Sequence, residues 1–181
     1  GTNNSHGVEI WGNAGVGGKV LSTGSGSIEI VAGGEGTGVK DDFRIYADAI
    51  IGGPNATGDI SIKADTMTLS DNASIQSSGH LTIAPMTDGL ETQSISLGFE
   101  SAGGRSDLNL TDSELATIQP GFASITLGTS GLADNRNLVT VESLHLLSAS
   151  TIIGGTINDA LGTDFDVSST TLAGTIDASV L

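Results

Sequence analysis

The feature that most constrains this chain is a five-residue phrase that it repeats. Gly26-Ser27-Ile28-Glu29-Ile30, Gly58-Asp59-Ile60-Ser61-Ile62, Gly79-His80-Leu81-Thr82-Ile83 and Ala123-Ser124-Ile125-Thr126-Leu127 share the order small, polar, aliphatic, polar, aliphatic. Alternation of that kind marks a strand with one buried face. The first aliphatic residue recurs at Ile28, Ile60, Leu81 and Ile125, in steps of 32, 21 and 44, the last readable as two steps of 22. A period in the twenties is what a solenoid leaves in sequence, because one repeat cannot bury its apolar face alone. Ile28, Ile30, Ile60, Ile62, Leu81, Ile83, Ile125 and Leu127 are therefore expected to point inward in a parallel β-helix.

The same rhythm runs along the rest of the chain. Strands are expected over 8–11, 19–21, 27–31, 43–46, 49–51, 59–62, 66–69, 138–141, 144–147, 151–155, 164–167, 171–173 and 175–177. Turns are expected at Gly52-Gly53-Pro54-Asn55 and at Ser70-Asp71-Asn72, and glycine clusters at 15–18 and 33–38 serve as corners where positive φ is cheap. Only 112–118, with Ser113-Glu114-Leu115-Ala116, holds fair helix formers, enough for a single turn between strands. No shift in composition marks a boundary, so residues 1–181 read as one β-helix segment.

Composition narrows the class further. Aromatic residues are only 3% of the chain, so the core must be aliphatic. Glycine is 27 of 181 residues, but proline is only 3 and there is no three-residue period, which argues against both collagen and a disordered linker. Asp and Glu number 21 against 6 Lys and Arg, a net charge of −15. The bases, Lys19, Lys40, Arg44, Lys63, Arg105 and Arg136, are scattered singly. No basic patch exists to neutralise phosphates, which excludes nucleic acid and anionic membranes as expected partners. There is no cysteine, hence no disulfide or thiolate metal site. No signal peptide and no 18-residue apolar run is present, so membrane insertion is not expected. The chain opens Gly1-Thr2-Asn3, as a processed or excised segment would.

The candidate sites are weak. Gly12 to Lys19 brushes against a phosphate loop, but Asn13 stands where its first glycine belongs and Val20 where a magnesium-binding hydroxyl is needed. Gly33-Gly34-Glu35-Gly36-Thr37-Gly38 lacks the aspartate and nine-residue frame of a calcium repeat. Asp41-Asp42 and Asp164-Phe165-Asp166 leave room for weak, adventitious calcium, though solvated turn aspartates fit better. Trp11, the sole tryptophan, suits a cap over an open end of the stack better than a sugar-stacking site.

Catalysis would need two convergent carboxylates, or a carboxylate beside a base. The nearest pairs are Asp107 with Arg105 and Asp134 with Arg136, both in turns. His6, His80 and His145 have no acidic or hydroxyl neighbour at metal or triad spacing. Thr66-Met67-Thr68 is the only Thr-x-Thr, too little for an ice-binding lattice. No catalytic, cofactor or metal residue is assigned, and the chain is expected not to be an enzyme; a β-helix enzyme acting on polysaccharides is the alternative.

The run Gly79-His80-Leu81-Thr82-Ile83-Ala84-Pro85, Ile95-Ser96-Leu97-Gly98, 108–118 and Gly121-Phe122-Ala123-Ser124-Ile125-Thr126-Leu127-Gly128 resembles the recurring element of filamentous-haemagglutinin-like exoproteins. These are large secreted adhesins of Gram-negative bacteria. The resemblance is best over 66–128, and the export domain of that family has no counterpart here. It implies a right-handed parallel β-helix and a non-catalytic, structural and adhesive piece of an extracellular surface filament. The implied partners are cell-surface glycans or proteins, and other coils: a second copy stacked head to tail, or neighbouring coils of a longer polypeptide.

Overall fold

A computed structural model describes residues 7–13, 15–33, 42–86, 94–98, 108–128, 138–141, 150–159 and 170–176. Its elements in chain order begin with β1 (Val8–Ile10), a small antiparallel hairpin of β2 (Gly12–Asn13) and β3 (Val16–Gly17), then β4 (Lys19–Leu21) and β5 (Ile28–Ala32). There follow β6 (Phe43–Ile45), β7 (Ile50–Gly52), β8 (Ile60–Ala64), β9 (Met67–Leu69), β10 (Ser74–Gln76) and β11 (His80–Ala84). Next are β12 (Ser94–Leu97), β13 (Leu108–Leu110), the four-residue helix α1 (Asp112–Leu115) and β14 (Ser124–Gly128). The last are β15 (Leu138–Val141), β16 (Ser150–Asp159) and β17 (Thr170–Ile176). The class is all-β, and every pairing between these strands is parallel except that of the hairpin.

The chain visits three sheets in a fixed order and then repeats the order. β1, β6 and β9 form the first sheet, β4, β7 and β10 the second, and β5, β8, β11 and β14 adjoin one another in the third. Register follows the recurring phrase. Ile28, Ile60, Leu81 and Ile125 are successive partners, and so are Ile30, Ile62, Ile83 and Leu127. The other sheets show the same matching of like with like: Ile10, Ile45 and Leu69 in the first, and Val20, Ile51 and Ile75 in the second. Ile75 is bridged in turn to Ile118.

Apart from Val20, which is exposed, these aliphatic residues join or pack against one core cluster drawn from all three sheets. Seven of the eight residues expected inside are buried, and Ile28 is half-buried against the cluster. Full burial of such a side chain contributes about 1.5–3 kcal/mol. Among the described residues Phe43, fully buried, and Phe122 are the rings of the core; the rest is Ile, Leu, Met and Ala, with Val8 packed against it.

Corners are built from backbone and short side chains. Tyr46–Ala49 and Ser70–Ala73 are equivalent turns, closed by Ala49 N–H to Tyr46 O (3.1 Å) and Ala73 N–H to Ser70 O (3.0 Å). Asp48 and Asn72 take the same left-handed conformation, φ 64° in both, which short polar residues tolerate. The expected turn at Gly52-Gly53-Pro54-Asn55 forms as well, with Gly52 and Gly53 at positive φ and Ala56 N–H bonded to Gly53 O at 3.0 Å. At the matching place before the third sheet, Gly26, Gly58 and Gly79 lie over one another. A Cβ on Gly58 would run into the Gly26 carbonyl, and one on Gly79 into the Gly58 carbonyl.

The structure departs from the sequence reading in one spacing. Leu81 and Ile125, 44 positions apart, are direct neighbours and not two steps of 22. The intervening chain makes β12 and β13 and then α1, so an excursion occupies the space in the count where another repeat was expected. β12 also pairs with β15, whose partner is the second half of β16. β16 thus serves two neighbours, β14 through Ser150–Ile153 and β15 through Thr156–Asp159, and its register with β17 shifts across Gly154-Gly155. A glycine pair at a β-bulge is the cheap way to make such a shift.

Candidate functional site

Polar side chains on the outer faces come together through the stacking of strands. Ile10 is buried, so alternation puts Glu9 and Trp11 outside. Trp11 is 61% exposed and its indole lies on the Tyr46 ring, centroids 4.3 Å apart at 23°. The pair exists because Tyr46 follows β6 as Trp11 follows β1, with Tyr46 N–H continuing the ladder to Ile10 O at 3.0 Å. Glu9 holds both rings. Trp11 Nε1 donates to its Oε2 at 2.8 Å, and the Tyr46 hydroxyl donates to its Oε1 at 3.3 Å. The Arg44 guanidinium stands 4.9 Å from the Tyr46 ring centroid, a cation–π distance. Trp11 was expected to cap the open end of the core; it stands instead on the side of the first sheet, because the residue after an inward Ile must face out.

A second cluster lies on the third sheet. His80 and Ser124 occupy paired positions in β11 and β14, and His80 Nδ1 is 2.8 Å from Ser124 Oγ. Asp59, one strand earlier, accepts the His80 backbone N–H through Oδ1 at 2.9 Å. The sequence reading found no hydroxyl or acidic neighbour for His80, since these partners are 44 and 21 positions away. The composition is that of a serine triad, but the connection differs. A triad carboxylate orients the imidazole by taking its ring N–H; this one binds the amide of the histidine through Oδ1.

The same face carries a file of hydroxyls. Ser61, Thr82 and Thr126 are successive partners across β8, β11 and β14, and so stand about 4.8 Å apart. Glu29 heads the file in β5. Two positions further on in the first three of these strands come Val31, Lys63 and Ala84, with Lys63 Nζ 3.7 Å from Glu29. The hydroxyls therefore form a line and not a two-dimensional lattice.

Several aspartates at corners are structural acceptors. Asp42, expected as a solvated turn residue or a weak calcium ligand, is 6% exposed. Its Oδ2 accepts Thr66 N–H at 3.3 Å, and its own N–H donates to Thr66 Oγ1 at 2.8 Å. Asp65 Oδ1 similarly accepts Met86 N–H at 2.8 Å. A cleft of about 480 Å³ between the Asp71–Asn72 turn and α1 is lined by Ser74, Ser113, Thr117 and Gln119 among others.

Among the described residues no three acidic or histidine side chains are placed to hold a metal ion, and no helix is long and apolar enough to cross a membrane. The weighed candidates Glu35, Asp41, Arg105, Asp107, Asp134, Arg136, His6, His145 and the 164–166 triplet lie outside the described residues. The near-phosphate loop at 12–19 is the β2–β3 hairpin leading into β4, with Gly15 at positive φ. No family model, curated protein or solved structure matches the chain.

Proposed function

We propose that the chain is a length of extracellular β-solenoid shaft, a right-handed parallel β-helix with a structural and adhesive role of the filamentous-haemagglutinin-like kind. The observation that supports it most is the register itself. The chain meets three sheets in the same order three times over, and like aliphatic residues partner one another at each return. Hydrogen bonds between strands then run along one axis, and a rod so bonded is stiff.

Such a rod joins to further coils through its edges. Among the described strands, β1, β4 and β5 are each outermost in their sheet. Among the described residues the exposed large apolar side chains, Trp11, Val16, Val20, Leu21 and Val31, all lie in the first pass of the chain, between the end of β1 and β5. An edge with unpaired N–H and C=O groups and apolar side chains is a template for another strand. A head-to-tail contact of that kind does not close on itself and propagates into a filament. The charge of −15 opposes the contact, and salt screens that repulsion within about 8–10 Å.

Sedimentation velocity and electron microscopy at low and high salt test the reading. Rods that lengthen with salt, and that Leu21→Lys with Val31→Lys keeps short, are the expected result. A strictly monomeric particle under both conditions overturns self-assembly, and a particle that is not elongated overturns the shaft.

A further inference from the structure

We propose that the outer face beside β1 is a carbohydrate-binding site in which the Trp11 indole is the platform for one pyranose ring of a neutral, β-linked glucan. The proposal rests on the adhesive reading and gives it a ligand class.

The geometry is that of a prepared surface. Tyr46 covers one face of the indole at 4.3 Å, yet Trp11 remains 61% exposed, so the open area is mainly the opposite face and its rim. The rotamer is fixed before any ligand arrives: Glu9 Oε2 takes the indole N–H while Glu9 Oε1 takes the Tyr46 hydroxyl. Order already present in the free protein is not lost again on binding, which raises affinity.

Chemistry selects the class of ligand. A pyranose with equatorial hydroxyls turns its axial C–H bonds outward as a flat apolar patch, the shape of an indole face. Its hydroxyls then project at the ring edge, where the Glu9 carboxylate and the Tyr46 hydroxyl beside the indole provide polar groups. A chain of net charge −15 repels acidic glycans over long range, which favours a neutral one. The competing occupant of the open face is the edge of a second copy of this chain.

Trp11 is the sole tryptophan, so the emission of the intact chain reports this site alone. Cellohexaose titrated into the full chain at low protein concentration should give a saturable change in Trp11 emission. Tyr46→Leu, which keeps the reporter, should weaken binding about tenfold. Trp11→Ala, followed by calorimetry, should abolish it. An oligogalacturonate of equal length should give no saturable change. Absence of a cellohexaose response with the far-ultraviolet dichroism intact overturns the proposal. So does an emission change that follows protein concentration alone, which would mean that a second copy covers the ring. Sedimentation of the same samples separates the two readings: rods that assemble without binding cellohexaose leave the shaft standing and remove the ligand.

Discussion

Glu114 Oε1 accepts the backbone N–H of Leu69 at 3.1 Å across 45 positions of chain. Leu69 ends β9, the outermost strand of the first sheet on that side, and a side chain supplies the acceptor there. The other oxygen of Glu114 closes a capping box, taking Thr111 N–H and Thr111 Oγ1, each at 2.9 Å. A helix of four residues is far too short to be stable alone. It persists because this one carboxylate ties its first turn to the sheet and Leu115 enters the core.

Replacing Glu114 with alanine should therefore remove both the cap and the β9 acceptor, and destabilise the chain by about 1–3 kcal/mol. Glu114→Gln keeps an acceptor and should lose less. Urea unfolding of the two variants beside the parent measures the difference. Equal midpoints for all three would show that the tie carries no stability.

The stacked glycines give a sharper steric test. Gly58→Ala would drive a methyl group into the Gly26 carbonyl, with backbone on both sides of the clash. Gly24 has open space around it, so Gly24→Ala makes the same chemical change without the contact. The first should cost about 1–3 kcal/mol, and the second should stay within about 0.5 kcal/mol of the parent. Thermal melts of the two variants compare them directly.

What the sequence disclosed and what it hid follow from one physical difference. Alternation is local, so the strands, the inward set from Ile30 to Leu127, the turns at Gly53 and Asn72 and the short helix were all legible within a few residues. The glycine that opens three of the four phrases was visible too, although only the structure gives its reason, the close approach of one corner to the next. Partners on parallel neighbouring strands lie 13 to 44 positions apart and obey no constant period. The excursion through β12, β13 and α1 broke the count, and with it any means of placing Ser124 beside His80. Asp42 read as a solvated turn residue, and nothing singled out Asp59 or Asp65, for the same cause. Each accepts a backbone N–H of the next pass of the chain, 21 or 24 positions on, and nothing local signals that.

Ser77 carries a comparable hidden role, and it is buried at 3% exposure. Its hydroxyl lies 2.6 Å from Gly58 O and accepts Gly79 N–H at 3.1 Å, joining two successive corners. Ser77→Ala leaves that amide and carbonyl without this partner in a buried place, a loss of about 1–3 kcal/mol. Hydrogen exchange should show the Gly79 amide opening faster in the variant. Unchanged protection there would assign the corner's stability to the backbone alone.

The inward assignment of the third sheet is tested by two adjacent residues. Ile83 is fully buried, in register with Ile62 and Leu127, whereas Thr82 stands in the outer file between Ser61 and Thr126. Ile83→Ala should cost about 2–5 kcal/mol, the range for an aliphatic core truncation that its surroundings cannot close. Ile83→Asp should be worse and unfold the neighbouring strands, because a carboxylate there has water on no side and only aliphatic neighbours. Thr82→Asp places the same charge one residue away on the outer face and should change stability by no more than about 0.5 kcal/mol. The contrast matters more than either value, since β-propensity and overall charge change in the same sense in both aspartate variants. Denaturant midpoints of the three variants decide the matter: an Ile83→Asp chain that unfolds at the same denaturant concentration as Thr82→Asp would reverse the two faces of the sheet.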